Sequence, residues 1–380
     1  MIRDFQRRLP EASSDLKQKE GFWLRMHIDL PLLLILVVVI CYGLVVLYSA
    51  GAGDWHYIKR QGVFLAVGFV AMLVVAQFKL HVLERYAPWL YLLGVVLLLG
   101  VMFFGVGAKG AQRWLDLKVI RVQPSELMRI AMPLLISAYL AKHQLPPRFM
   151  NVLITLALVA VPTLLIARQP DLGTSILVAT SGLVILFFAG LRWRYIVGAL
   201  LLLAGSAPLF WYVLLRDYQK TRIMTLFDPE ADRWGAGWNI IQSKTAIGSG
   251  GLEGKGWMQG TQSQLDFLPE SHTDFIIAVL GEEFGLFGVL FLLLGYLLVI
   301  WRGLWIGMKA QHAFGRLLAG GITFTFFVYV LVNIGMVSGL LPVVGVPLPL
   351  VSYGGTSILT LMLGFGLLMA IATERRRVAL

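Results

Sequence analysis

The residues of this 380-residue chain best suited to do chemistry gather in one stretch, Asp228 to Glu283, within an otherwise largely apolar sequence. The stretch reaches a long apolar run at Glu270-Ser271-His272-Thr273-Asp274, which puts two carboxylates and an imidazole at that boundary. A partly desolvated carboxylate holds its proton more tightly, which suits it to act as a general base toward a hydroxyl. An acid or threonine at such a boundary also caps a helix by accepting from its first-turn amides, so Asp274 and Thr273 read equally as a cap. Glu282 and Glu283 follow two turns later. At 100° per residue Glu282 stands about 80° around the helix from Asp274 and Glu283 lies on the opposite face, so the two cannot both join Asp274 in one pocket. A structural role, at a helix–helix contact or toward the cytosolic side, is expected for them.

Three further groups could do chemistry. Glu126 and Arg129 are spaced i, i+3, which lets them pair on one helix face. Charge inside a membrane is costly unless paired, so the expectation is a structural pair within a polar cavity. Asp171, in Gln169-Pro170-Asp171-Leu172-Gly173, can cap the helix that follows it, on the same side as Asp274. The run Gly248 to Gly256 resembles a phosphate loop only loosely, because the position that should carry Ser or Thr is Gly256. It reads instead as a flexible Gly-rich loop, with Lys244 and Lys255 near a lipid phosphate. Paired aspartates for a nucleotide-sugar metal and a zinc-binding His-Glu-x-x-His helix are both lacking. One cysteine, Cys41, excludes an intrachain disulfide.

The elements that position these residues are membrane helices. The chain is 58% hydrophobic and 14% charged, against roughly 25% charged in soluble proteins. Windows of about 20 apolar residues predict ten spans, at 30–49, 61–78, 88–106, 124–141, 150–167, 173–191, 195–215, 274–300, 314–339 and 351–373. The fold class is an all-α polytopic membrane protein with a large extracytoplasmic loop, 216–273, between spans seven and eight. Residues 1–29 and 374–380 form the tails, and the first apolar run is too long and too late for a cleaved signal peptide. The segments on the side of the termini carry 18 Lys and Arg, against seven in the four short connections opposite. The positive-inside rule therefore puts both termini in the cytoplasm and the 216–273 loop outside. The net charge of +11 fits this topology and anionic headgroups rather than nucleic acid. Alternation from Trp114 to Val122 is strand-like, and Pro124-Ser125-Glu126 reads as a helix start. These residues alone leave a lipid-phosphate enzyme and a transporter both open.

The stretch Asn333 to Ser357, which includes VSGLLPVVGVPLPLVSYGG, closely resembles the signature of the shape, elongation, division and sporulation family. RWLDLKVIRVQPSE, QPDLGTS and PESHTDFIIAVLGEE resemble further blocks of the same family. Within it, the long motif and the short C-terminal tail resemble the elongation branch more than the division branch. One departure is Arg129, where lysine is the expected residue; arginine keeps the charge with a forked geometry.

The resemblance implies a peptidoglycan glycosyltransferase of the bacterial cytoplasmic membrane that polymerises lipid II on the outer side. It implies Asp274 as the catalytic base, with Trp114, Arg121, Gln123, Glu126, Arg129 and Asp171 in the substrate cavity; Lys244 and Ser352 are candidates for the same cavity. The implied reaction inverts the anomeric carbon, with undecaprenyl diphosphate as leaving group. Its charge would be offset by Arg121, Lys244 or a divalent cation, Mg or Mn. No cofactor is otherwise implied, and the metal ligands are unknown. The implied partners are a class B penicillin-binding transpeptidase and other membrane proteins of the elongation complex, with no nucleic acid. The alternatives are a lipid II flippase and a noncatalytic scaffold for a transpeptidase.

Overall fold

The computed structural model describes residues 26–374 except 109–110, 117–120, 216, 233–234, 266 and 269. The predicted tails 1–29 and 374–380 therefore lie largely outside the described residues. Each predicted span is matched by a helix. The first three are α1 (Leu30–Ala50), α2 (Trp55–Ala76) and α3 (Leu80–Phe104). A small antiparallel sheet follows, of β1 (Val106–Ala108), β2 (Ala111–Asp116) and β3 (Arg121–Val122), in the order β1-β2-β3. Then come α4 (Pro124–Ala141), α5 (Phe149–Arg168), α6 (Leu172–Phe188) and α7 (Trp193–Leu209), the last continued by a π-helical turn, Phe210–Leu214. The 216–273 segment, called the outer segment after its predicted placement, holds α8 (Asp217–Phe227), α9 (Ala236–Gly250) and the single turn α10 (Thr261–Gln264). The chain ends on α11 (Ile276–Lys309), α12 (Ala313–Val337) and α13 (Gly355–Ala372).

Eight of the described helices are long and apolar enough to cross a bilayer. The two remaining expected spans differ for identifiable reasons. α6 has 17 residues, and α4 carries Glu126 and Arg129 while burying 13 of its 18 residues against neighbouring helices. No residue of α7 is buried, as suits a helix apolar on every face and turned toward lipid.

Several boundaries move from their predicted positions. α2 begins at Trp55 because Asp54 caps it, accepting from the His56 amide at 2.7 Å. α11 runs to Lys309 and is broken at Gly285, whose φ of 63° and ψ of −160° are far from helical. The segment 216–273, predicted as a loop, is largely helical. Its Gly-rich part is not a free loop: amides of Lys255 and Gly256 donate to the carbonyls of Glu282 and Glu283, and the amides of Leu286 and Phe287 donate to Gly251 and Leu252. The backbone groups released at the Gly285 break are thus satisfied by the outer segment, as burial requires.

Two hydrophobic cores hold the bundle. The larger involves α1, α2, α11, α12 and α13, and the smaller lies among α3, α4, α5 and α6. At one end of the bundle Asp29 caps α1 through the Leu32 amide and takes two hydrogen bonds from Arg302 of α11, at 3.0 and 2.6 Å. Asp274 lies at the opposite end of α11 from Arg302.

Candidate active site

Asp274 lies in the turn that leads into α11 rather than in its first turn. The N-cap position falls on Phe275, so the expected cap at Thr273 or Asp274 is displaced by at least one residue. The turn folds back on Glu270, whose carbonyl accepts from the Thr273 and Phe275 amides.

Three successive carbonyls of this turn are held by the C-terminal part of the chain. The His272 carbonyl accepts from the Tyr353 amide at 2.9 Å. That of Thr273 accepts from the Ser352 hydroxyl. The Asp274 carbonyl accepts from Asn333 Nδ2 at 2.9 Å, and the same amide donates to Val346 at 2.7 Å. Gln61 of α2 braces this C-terminal segment by donating to the Ser352 carbonyl at 3.0 Å. Ser352 is 2% exposed and serves as a strut under the turn.

The Asp274 carboxylate faces the backbone of Gly345: a Cβ on that residue would stand 3.3 Å from Oδ2. Gly345 also has a φ of +74°, which L side chains rarely adopt. The same segment also meets α6, where a Cβ on Gly173 would lie 2.9 Å from the Val344 carbonyl. Residues 342–350 thus form a wall that the Asp274 carboxylate faces at Gly345 and that the start of α6 meets at Val344.

A second polar group lies at the start of α6 and on α4. Asp171 caps α6 through the Thr174 amide at 3.3 Å, so the expected cap is present. Its carboxylate also lies 3.7 Å from Arg113 Nε of β2, and Arg113 donates to the Pro170 carbonyl at 2.7 Å. Glu126 and Arg129 form the expected pair at 2.7 Å, and Thr360 of α13 donates to Glu126 at 2.9 Å. Arg129 lies 4.7 Å from the centre of the Tyr329 ring, a cation–π contact. Arg129, Tyr329 and Thr360 help line a small cavity of about 50 Å³ between α4, α12 and α13.

The other predicted residues are placed less closely. Trp114 is half-buried on β2, opposite Val106. Gln123 stands at the N-cap of α4 without a side-chain cap bond. Arg121 pairs with Asp116 through the β3 backbone, and its side chain lies outside what is described. Lys244 is exposed, with its ammonium beside Gly339 at the end of α12, a favourable place for a cation at a helix C-terminus.

Lys255 pairs with Glu282 at 2.8 Å and donates to the Thr261 hydroxyl at 2.7 Å. Glu282 is fully buried and also accepts from the Thr261 hydroxyl at 3.0 Å and from the Gln262 and Ser263 amides at 2.9 and 3.2 Å. Glu283 accepts a short hydrogen bond from Ser49 of α1. Both glutamates therefore have a structural role, as expected: Glu282 holds the 251–264 segment and Glu283 meets α1, at the same end of α11 as Asp274.

His272 packs its ring 4.7 Å from that of Tyr57. Burial pushes its pKa below the ordinary value of 6.5, and the charge of Glu270 works in the opposite direction. Among the described residues no three His, Cys, Asp or Glu side chains form a group able to hold a metal ion.

Arg113, Tyr329, Asn333 and Thr360 were not singled out in the sequence. Arg113 and Asn333 lie at the starts of two motif blocks, which was a usable signal. Tyr329 and Thr360 sit in apolar helices and carry none.

Residues 25–377 match the family described as cell cycle protein, that of FtsW, RodA and SpoVE, and the chain belongs to that family. It is a multi-pass membrane protein. Peptidoglycan glycosyltransferase MrdB of Escherichia coli strain K12 is 54% identical over 363 residues, covering 96% of this chain and 98% of that protein. A probable peptidoglycan glycosyltransferase FtsW of Geobacter metallireducens is 36% identical over 362 residues, covering 92% and 95%. A solved structure on the coordination of polymerization and crosslinking by a peptidoglycan synthase complex superposes with a TM-score of 0.82 at 29% identity, covering 92% of this chain and 98% of that one. The rod shape determining protein RodA of Thermus thermophilus gives 0.70 at 27% identity, with the same coverage.

Proposed function

We propose that this chain is a peptidoglycan glycosyltransferase that polymerises lipid II for wall elongation, at the outer face of the bacterial inner membrane. The carrying observation is the fixed placement of one carboxylate, Asp274, opposite the bare backbone of Gly345. Its backbone is immobilised on three successive carbonyls. A base held in this way needs little reorganisation when it takes a proton.

In the reaction, the 4-hydroxyl of the acceptor GlcNAc attacks the anomeric carbon of the donor glycan. Asp274 takes the hydroxyl proton as the new C–O bond forms. The bond to undecaprenyl diphosphate breaks, and the diphosphate leaves with the electron pair. Attack from the face opposite the leaving group inverts the centre. One protein carboxylate suffices, because a diphosphate needs no protonation to depart; a retaining route would require a second carboxylate as nucleophile. Arg121 and Lys244 are the candidate protein cations for the charge on the diphosphate. A divalent cation, Mg or Mn, would supply further positive charge to the leaving diphosphate.

An even number of spans keeps both termini on one side, and the Lys/Arg excess puts that side in the cytoplasm. Asp274, at the far end of α11, then faces outward. The partner is a class B penicillin-binding transpeptidase that crosslinks the strands; the likeness to a synthase complex supports this.

The test supplies lipid II to the purified full-length protein in bilayer discs, alone and with the transpeptidase. Muramidase-sensitive β-linked polymer is the expected product. Lipid II translocation in vesicles with no polymer under any condition would favour the flippase reading, and neither activity would favour the scaffold.

A further inference from the structure

Asn333 lies on the last turns of α12 and is fully buried. Its side-chain amide has two N–H groups, and both are committed. One goes to the Asp274 carbonyl at 2.9 Å and the other to the Val346 carbonyl at 2.7 Å. This fixes the orientation of the amide, because the flipped form would aim Oδ1 at two carbonyl oxygens. Oδ1 itself is buried without a hydrogen-bond partner among the described residues. A buried acceptor left unpaired costs free energy, and such exceptions call for a reason. Packing alone would be served by an apolar side chain of the same volume.

The reason lies in what the two carbonyls belong to. One is that of Asp274. The other is that of Val346, next to Gly345, whose backbone faces the Asp274 carboxylate across 3.3 Å of hypothetical Cβ contact. A single planar group therefore sets the separation between the carboxylate and the wall in front of it. Ser352 adds a second strut. Its hydroxyl donates to the Thr273 carbonyl and accepts from the Leu348 amide at 2.8 Å, joining the same turn to the same wall.

We propose that Asn333, assisted by Ser352, is a positioning residue for glycosyl transfer: it holds the base and the wall facing it at a fixed separation. This rests on the reading of Asp274 as the base. Neither residue touches the reacting atoms. Their effect falls on the rate of the chemical step, where a displacement of about 1 Å costs on the order of 100-fold.

The test compares Asn333→Leu, Asn333→Asp, Ser352→Ala and Asp274→Asn with the wild type, as full-length protein in bilayer discs. For each, kcat, KM and the stoichiometry of lipid II binding are measured. Asn333→Leu is expected to lower kcat by about 10- to 100-fold, with KM within about twofold and full binding stoichiometry. Ser352→Ala is expected to act the same way more weakly. Asn333→Asp adds a pH signature, because its neutral carboxyl donates one hydrogen bond and its carboxylate none. Its kcat relative to wild type should therefore rise as the pH falls.

The proposal is overturned if Asn333→Leu keeps kcat within about twofold of wild type. It is equally overturned if kcat falls only in proportion to binding stoichiometry, which is the mark of partial unfolding. Should Asn333→Leu fail to fold, Ser352→Ala decides by the same two criteria. Asp274→Asn separates this idea from the one beneath it. If that variant retains activity the base is misassigned, whereas an inactive Asp274→Asn beside an active Asn333→Leu removes the positioning role alone.

Discussion

Gly345 presents bare backbone to the Asp274 carboxylate, and a Cβ there would stand 3.3 Å from Oδ2. The contact is tight, and the φ of +74° at Gly345 penalises any L side chain, by roughly 1–2 kcal/mol. Gly345→Ala is therefore expected to displace either the carboxylate or the wall and to lower kcat at least about tenfold. Lipid II binding should be little changed. Steady-state kinetics of polymerisation check this, and an alanine variant with wild-type kcat would show that the gap is not set at Gly345.

Glu282 and Lys255 make a second prediction. Because buried Glu282 holds two backbone amides and a hydroxyl besides Lys255, its loss leaves several donors unpaired. Glu282→Ala should destabilise the protein by about 3–5 kcal/mol and open the 251–264 segment to limited proteolysis. Lys255→Met should cost less, since the Gln262 and Ser263 amides and the Thr261 hydroxyl still hold the Glu282 carboxylate. Equal effects of the two substitutions would mean that the salt bridge, and not the capping of backbone amides, secures the outer segment.

Arg129 and Glu126 form a buried i, i+3 pair on α4, and Thr360 of α13 donates to Glu126. Arg129→Ala leaves Glu126 with Thr360 and no cation, at an expected cost of about 3–5 kcal/mol. Adding Glu126→Gln to Arg129→Ala should recover part of the loss, because the uncompensated charge is removed. Arg129→Lys keeps the charge and gives up the planar contact with Tyr329, so a smaller fall is expected. Thermal denaturation of the wild type, the single variants Arg129→Ala, Glu126→Gln and Arg129→Lys, and the double variant reads all of this, and additive effects in the double variant would contradict the pairing.

His272 supplies a pH dependence. Burial depresses its pKa, with Glu270 opposing, so the folded state resists a proton that the unfolded chain accepts below about pH 6.5. Stability is complete above that pH and declines as the pH falls toward the lower folded value. His272→Phe keeps a ring against Tyr57 and Tyr353 and cannot titrate. Its Tm should therefore fall less than that of the wild type between about pH 7 and pH 5. Parallel curves would show that His272 is not the titrating group.

The spans were legible because hydrocarbon demands long apolar runs, and the Glu126–Arg129 pair was legible because helical spacing brings i and i+3 together. The outer segment was not. α9 is amphipathic and glycine-bearing, and the order of residues 251–256 comes from carbonyls of Glu282 and Glu283 at a helix break that no local pattern announces. The assignment of Asp274 was legible through resemblance, since its own residues fitted a cap as well. What holds it was hidden. Asn333 is 59 residues away in sequence, and the join depends on how α12 packs on α11. Arg113 was passed over for a similar reason: it lies on β2 while its partner Asp171 caps α6, and only the fold brings them together.

The most direct measurement is lipid II polymerisation by the purified full-length Asp274→Asn variant with the proposed transpeptidase partner, set against the wild type. Asparagine keeps the shape of the side chain and removes its basicity. Polymerisation is expected to fall by about 10²- to 10⁴-fold while lipid II still binds and the protein keeps its Tm. Polymer formed within about tenfold of the wild-type rate would contradict Asp274 as the general base.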